Sequence, residues 1–417
     1  MTTETNLPER AREVDSFLQA HFLDSNGVVL SHLDKETLRV PEESFFPVPV
    51  KDMQAGEDWF VSGFTRSAVA GYENCGMCTG AYLESLLFRY QVEKDPAVLA
   101  LAGRCFEALS SIYDQGCQLE EGFFPKIYGN RFTTQTSTDQ VLYAVFAMDH
   151  YWDLAPPAHR EAIATMIPEM VRFWMKRKYN YSYYHLEAMD WPIMRFPPFL
   201  LLAHKYSGEP GFLQEYHRLL GEGVKQLPEW AQRSDKSQGR RSLSEFEREH
   251  NVFVISNMAD CLTMDVMNLD LLLRLDPTHT RANQWREGIS SMWDEAKITL
   301  APNGKYYSQV LVDQDTGAVR RPEGFDQGAP AGTESGWSTL VARGAVMASV
   351  YLPERRPEIR EKVGHVLKQI GIPEMTYLDN PERLPPRQRF KTQCLSGDAI
   401  TNWLWAYWQG RHLGLFA

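Results

Sequence analysis

Apolar residues recur along the chain at helical spacing, in pairs of segments separated by short turns. From Glu73 to Val92 the apolar set is Met77, Ala81, Leu83, Leu86, Leu87 and Tyr90. From Pro96 to Tyr113 it is Val98, Leu101, Phe106, Leu109 and Ile112, and only Glu93-Lys94-Asp95 lies between the two. That is the pattern of a helical hairpin. The same rhythm pairs Asp139–Trp152 with Pro157–Tyr179 and Trp191–Tyr206 with Gly211–Trp230. It then pairs Val252–Leu275 with His279–Ile298 and Gly336–Tyr351 with Pro357–Ile370. A helix over about Arg10–Phe22 opens the chain, and Asp398–Leu413 closes it.

Turns within a pair are short, whereas connections between pairs are long and rich in Gly, Pro and aromatics. If the first helix of each pair packs inside and the second outside, every long connection falls at one end of a ring, where function tends to reside. Trp403, Leu404, Trp405, Tyr407 and Trp408 make the last helix apolar nearly all round, as a buried closing helix would be. The expected fold is therefore an all-α toroid of six or seven helical hairpins, one catalytic domain over residues 1–417; an open solenoid has a similar rhythm. Asp24–Pro49 reads as irregular chain or short strands. Gly304–Val312 and Ala318–Arg321, flanking Asp313-Gln314-Asp315-Thr316-Gly317, read as an inserted β-hairpin. The turn resembles a calcium loop only in part, since the remaining ligands are missing.

A net charge of −11 with no lysine or arginine block argues against a nucleic-acid or anionic-membrane partner. The N-terminus MTTETNLPERAREVDSF lacks a basic n-region and an apolar h-region, and no window approaches a transmembrane length, so a cytoplasmic protein is expected. Nothing in the sequence bears on oligomeric state, and a homo-oligomer is compatible with it. Six cysteines in 417 residues are too sparse for a disulfide scaffold. Cys75-Gly-Met-Cys78 lacks both a second zinc-ligand pair and a thioredoxin-like βαβ context, so buried, reduced thiols are expected. No metal or cofactor is implied. Eleven tryptophans, eighteen tyrosines and twenty-one phenylalanines exceed what a core alone requires, and many sit in aperiodic stretches, where aromatic faces line ligand clefts. Sugar rings, apolar on their faces and polar at their rims, suit such a cleft.

The stretch from Gly122 to Trp152 changes character midway, from an aromatic, glycine-punctuated loop to a helix carrying Val141, Leu142, Val145, Phe146 and Met148. At the junction, Thr136-Ser137-Thr138-Asp139-Gln140 offers capping hydroxyls and then a carboxylate in the first turn. Asp139 either complements the helix dipole or opens onto a site. Helical hairpins, a TSTDQ junction and aromatic-rich connections together resemble the (α/α) toroid carbohydrate enzymes, and among them the six-hairpin glycosidases that include unsaturated glucuronyl hydrolases and β-glucuronidases. The resemblance spans roughly Tyr72–Gly410. It implies an acidic residue at the N-terminal end of an inner helix as general acid/base, which Asp139 matches. It also implies a second carboxylate on a neighbouring inner helix, for which Glu73 and Asp190 are the candidates. Glycoside hydrolysis needs one carboxyl to protonate the leaving oxygen and another to activate water or attack the sugar.

The expected substrate is an oligosaccharide, probed first as an acidic, glucuronide-type one cleaved from its end. Arg131 and Arg195 are placed to meet a uronate carboxylate, with Gln140, Trp191, Asn251, Tyr307 and Trp337 completing a binding set. His250, expected to open the helix at Val252, and Tyr306 on the hairpin resemble the pair with which toroid polysaccharide lyases perform β-elimination. That is the second reading. A third is a sugar epimerase using His150, His185, His204 or His250, or a non-catalytic sugar-binding toroid.

Overall fold

The computed structural model describes residues 6–47, 59, 61, 63–129, 131–183, 186–190, 195–222, 244–256, 258–321 and 334–417. In chain order the helices are α1 (Leu7–Phe17), α2 (Arg66–Tyr72), α3 (Cys75–Glu93), α4 (Pro96–Cys117), α5 (Thr138–Tyr151), α6 (Pro157–Lys176), α7 (Phe196–Ser207) and α8 (Pro210–Glu222). They continue as α9 (Glu245–His250), α10 (Val266–Leu275), α11 (Ala282–Ala296), α12 (Ser338–Ala348), α13 (Arg356–Gln369) and α14 (Gly397–His412). A helical turn at Met258–Asp260 and a π-helical turn at Cys261–Asp265 lead directly into α10.

Six helices form a closed inner ring in the order α3, α5, α7, α10, α12, α14, with α14 packed against α3. Each has an outer partner. These are α4, α6, α8, α11 and α13 for the first five, and α1 for α14. The chain's first helix thus becomes the outer half of its last hairpin, and the hairpins number six. Their turns are built as the sequence implies. Asp95 caps α4 by accepting from Ala97 N–H at 2.9 Å, ahead of Pro96 at the first helical position. Gly208 ends α7 in the left-handed region at φ 70°. The core is one apolar cluster drawn from all six pairs, and within it Trp403, Leu404, Trp405 and Tyr407 of α14 are fully buried.

The long connections hold the strands, and the paired strands lie just ahead of inner helices. The pair β2 (Ile127–Tyr128) with β3 (Arg131–Phe132) precedes α5, and β4 (Asn180–Tyr183) with β5 (Leu186–Asp190) precedes α7. The strand β6 (Val252–Ser256) leads towards α10 and pairs antiparallel with β8 (Gln309–Asp313), which pairs in turn with β9 (Val319–Arg320). Ahead of α12, β10 (Glu334–Ser335) pairs with β7 (Tyr306–Tyr307); ahead of α14, β11 (Cys394–Ser396) pairs with β1 (His32–Asp34). A second apolar cluster that includes Phe46, Trp59, Tyr128 and Phe390 fills the space beneath these connections.

Three expectations are corrected. Val252–Leu275 is not one helix, because the β-branched and aromatic run Val252-Phe253-Val254-Ile255 forms β6 and the helix resumes only at Met258. His250 therefore ends α9 instead of opening a long helix. Asp190 does not open an inner helix either; it ends β5, opposite Asn180, and α7 begins at Phe196.

Candidate active site

With the inner helices parallel around the ring, their N-terminal ends share one mouth, towards which their unpaired N–H groups and positive dipole ends are directed. Polar side chains stand at these ends: Glu73 and Asn74 before α3, Asp139 in α5, Arg195 before α7, Asp260 in the turn leading to α10, and Asp398 in α14. Trp337 precedes α12, with its ring 5.3 Å from Tyr377. Local capping sets two of the carboxylates in the same register. Ser137 Oγ accepts from Gln140 N–H and Ser396 Oγ from Ala399 N–H, which places Asp139 and Asp398 each two residues after its cap.

Asp139 is ion-paired with Arg195, whose Nη1 also donates to Thr138 Oγ1 at 2.7 Å. Burial opposes the Arg195 charge, but Asp139, Asp265 and Asp260 outweigh it and raise its pKa further. Around the ring, α7 stands between α5 and α10. Arg195 accordingly lies in the field of a carboxylate on either side. Asp260 has no such partner at bonding distance among the described residues. Burial first, and then the charges of Asp139 and Asp398, push its carboxyl up to about 7, against the pull of Arg195.

Asp398 is 5% exposed. Its Oδ1 accepts from Cys78 Sγ at 3.3 Å and its Oδ2 from Asn74 Nδ2 at 3.1 Å. Burial still carries its pKa up to about 6, the two hydrogen bonds holding it down and the Glu73 charge adding to the rise. Glu73 itself is ion-paired with Lys126 at 3.4 Å.

Below the carboxylates, Arg343 on α12 and Tyr143 on α5 meet across the ring, the arginine Nη1 donating to the phenol oxygen at 3.2 Å. The guanidinium is fully buried and stacks 3.5 Å over the Trp405 ring. The Tyr143 phenol is raised by burial, opposed by Arg343 and reinforced by Asp398, Asp260 and Asp139, so it feels the charge of all three acids. Behind the mouth, the fully buried His32 packs between Trp59, tilted with its centroid at 4.6 Å, and Tyr377, edge-on at 4.8 Å. Burial lowers that imidazole to about 4, and its Nδ1 lies 3.0 Å from Ala70 O, so it is neutral at physiological pH.

The residues singled out from sequence divide into three groups. Asp139, Glu73, Gln140, Arg195 and Trp337 come to the mouth; Gln140 Nε2 donates to Glu73 O at 3.4 Å. Tyr306 reaches it from the side, its hydroxyl accepting from Ala259 N–H at 3.3 Å next to Asp260, while Tyr307, also in β7, is buried. Arg131 is exposed on β3, with its guanidinium 4.6 Å from the centre of the Phe64 ring.

His250 and Asn251 lie elsewhere. His250 is exposed and stacked on Phe246, and Asn251 Nδ2 donates to Asp315 at 2.7 Å. Both sit beyond the Val252 end of β6, whereas Tyr306 lies beyond the Gln309 end of β8, which pairs with Ser256. Five residues of strand separate them, roughly 17 Å. The histidine–tyrosine pair expected of a lyase is not assembled. His150 is hydrogen-bonded to Glu84 at 2.9 Å in the last turn of α5, and His204 holds Glu209 O at 3.0 Å in the last turn of α7, so both stand at the opposite end of the ring. The Asp190 side chain, Trp191 and His185 lie outside the described residues.

Asp260, Asp398, Tyr143 and Arg343 were not singled out. Ser396-Gly-Asp398 repeats the Ser137-Thr-Asp139 spacing, a signal that could have found Asp398.

No protein-family model matches the sequence, and no curated protein does. Solved structures do. A D-mannose isomerase aligns at 8% identity with a TM-score of 0.54, covering 100% of both chains. An unsaturated glucuronyl hydrolase specific for heparin aligns at 10% identity and TM-score 0.52, over 98% of each chain. Cellobiose 2-epimerase from Bacillus thermoamylovorans aligns at 10% identity and TM-score 0.51, over 96% of this chain and 99% of that one. At these identities the likeness is one of fold, the six-hairpin toroid on which these carbohydrate enzymes are built.

Proposed function

We propose that the protein is a glycoside hydrolase in which Asp260 protonates the departing glycosidic oxygen and Asp139 acts on the other face as general base or nucleophile. The observation that carries the reading is the arrangement of Asp139, Arg195 and Asp260 on three consecutive inner helices. An arginine bound to one carboxylate gives it a fixed counter-charge and orients it. A second carboxyl, crowded by like charges and poorly solvated, retains its proton near neutrality. Two acids in unlike environments, one paired with a cation and one not, are what acid/base cleavage of an acetal requires. Asp139, expected from sequence to be the acid, is thereby cast as the base.

Sugar is supported as substrate by Trp337 and Tyr377, half-buried rings at the mouth whose apolar faces match the C–H faces of a pyranose. Carboxylates at the mouth favour hydrolysis over isomerisation or epimerisation, for which His150, His204 and His250 are unsuitably sited. The exo-acting, glucuronide-type specificity follows the sequence resemblance, with Arg195 as the cation that a uronate would approach at the mouth. The test is a panel of glucuronides and neutral glycosides, incubated with the wild type, Asp139→Asn and Asp260→Asn while reducing ends and ultraviolet absorbance are followed together. New reducing ends from the wild type alone are the expected result. A conjugated 4,5-ene would select elimination, and label exchange without cleavage would select an epimerase.

A further inference from the structure

Asp398 is the most enclosed carboxylate of the mouth, and its surroundings are more specific than its burial requires. Each of its oxygens receives one hydrogen bond from α3, from Asn74 Nδ2 at 3.1 Å and from Cys78 Sγ at 3.3 Å. The thiol reaches it because α14 starts at Gly397. A Cβ there would stand 2.1 Å from Leu30 O and 3.2 Å from Cys78 Sγ, so a larger residue would push the start of α14 off the Leu30 backbone and crowd the thiol. Cys78 is fully buried. Burial, reinforced by Asp398, pushes its thiol well above the usual range, so it stays an S–H donor wherever the carboxylate titrates. A group that only donates favours the anion.

The remaining charged or titratable groups whose fields meet Asp398 are Glu73, ahead of α3, and Lys126, ahead of β2; Asp260 and Tyr143 in turn feel its charge. The charge of Asp398 is one of those that keep the proton on Asp260.

We propose that the Cys78 thiol is a positioning residue: by donating to Asp398 it holds that carboxylate as an anion whose field reaches Asp260 across the mouth, and so keeps Asp260 in its acid form. The catalytic part of this inference rests on the hydrolase reading above, whereas the hydrogen bond does not. Cys75, three residues earlier and also buried, is not within hydrogen-bond reach of Asp398 and serves as the control.

The test uses the full chain in two measurements. The infrared S–H stretching band of Cys78, identified as the one lost in Cys78→Ala, is followed from acid to alkaline pH. It shifts with a single midpoint that disappears in Asp398→Asn; a band that does not move with pH overturns the proposal. The pH profile of kcat/KM on a chromogenic glycoside is then compared across variants. The alkaline limb moves to lower pH, by up to about one unit, in Cys78→Ala, because Asp398 then loses its charge more readily. It returns to the wild-type position in Cys78→Ser, which restores a donor, and is unmoved in Cys75→Ala. Superimposable profiles for Cys78→Ala and wild type overturn the positioning role. A titrating S–H band in a protein that cleaves no glycoside leaves the hydrogen bond standing and removes the hydrolase reading instead.

Discussion

A carboxyl group at the mouth of this ring experiences two opposing influences, the arginine that draws protons off and the neighbouring acids that keep them on. Asp139 touches the arginine and Asp260 does not, and the proposed hydrolysis therefore assigns these two residues of one chemical type different roles. Asparagine at either position is nearly isosteric but can neither give nor take the proton, and kcat should fall by about 10²–10⁴ in Asp139→Asn and in Asp260→Asn. Circular dichroism then distinguishes lost chemistry from lost fold. The same environment makes Asp260 a liability to stability. Because its folded-state pKa is raised to about 7 from the ordinary carboxylate value, its contribution is intact below about pH 4 and is lost as pH rises through about 7. Asp260→Asn should therefore raise the melting temperature at pH 8 by on the order of a few degrees, and by progressively less towards pH 5. An equal shift at both values would show that the group is not held protonated.

At the level of elements, the hairpin rhythm was readable because each inner helix carries an apolar stripe and each tight turn carries its own punctuation, such as Asp95-Pro96 or Gly208. Asp139 was readable for a local reason too, since its cap lies within two residues of it. Asp260 was not. It sits where a strand, a helical turn and a π-helical turn follow one another within fourteen residues, and no glycine or proline marks any of the boundaries. The contacts that define the rest of the site are remote in sequence: Cys78 and Asp398 are 320 residues apart, Tyr143 and Arg343 are 200. No local pattern encodes these.

The seam between α3 and α5 has its own test. A Cβ on Gly80 would stand 2.8 Å from Tyr143 O, so the two helices touch only because that side chain is missing. Gly80→Ala should destabilise by about 1–3 kcal/mol in urea titrations. It should also lower kcat, since the displaced backbone carries Tyr143, which feels the charge of the acids.

Over the whole molecule, the mouth exists because the ring closes, and the closure is held chemically as well as by packing. Asp15 on α1, the outer partner of α14, accepts from Tyr82 OH at 2.8 Å and Arg89 Nη1 at 2.7 Å, both on α3. It thereby ties the chain's first helix across the joint between its last hairpin and its first. Asp15→Ala removes both bonds while Arg89, 18% exposed, keeps Glu93 as counter-charge, and should lower stability by about 1–3 kcal/mol. Activity should fall with it as temperature rises, because α14 supplies Asp398 and α3 supplies its donors. The toroid is shared with hydrolases, isomerases and epimerases, so closure alone does not select a reaction. What selects it is how the mouth treats a bound sugar. The direct measurement is mass spectrometry of early products from a glucuronide oligosaccharide incubated in heavy-oxygen water. Cleavage by the two carboxylates delivers one heavy oxygen to the newly released sugar end in the wild type and none in Asp139→Asn or Asp260→Asn. Products lighter by one water and unlabelled, or an uncleaved sugar altered only in configuration, would contradict the account.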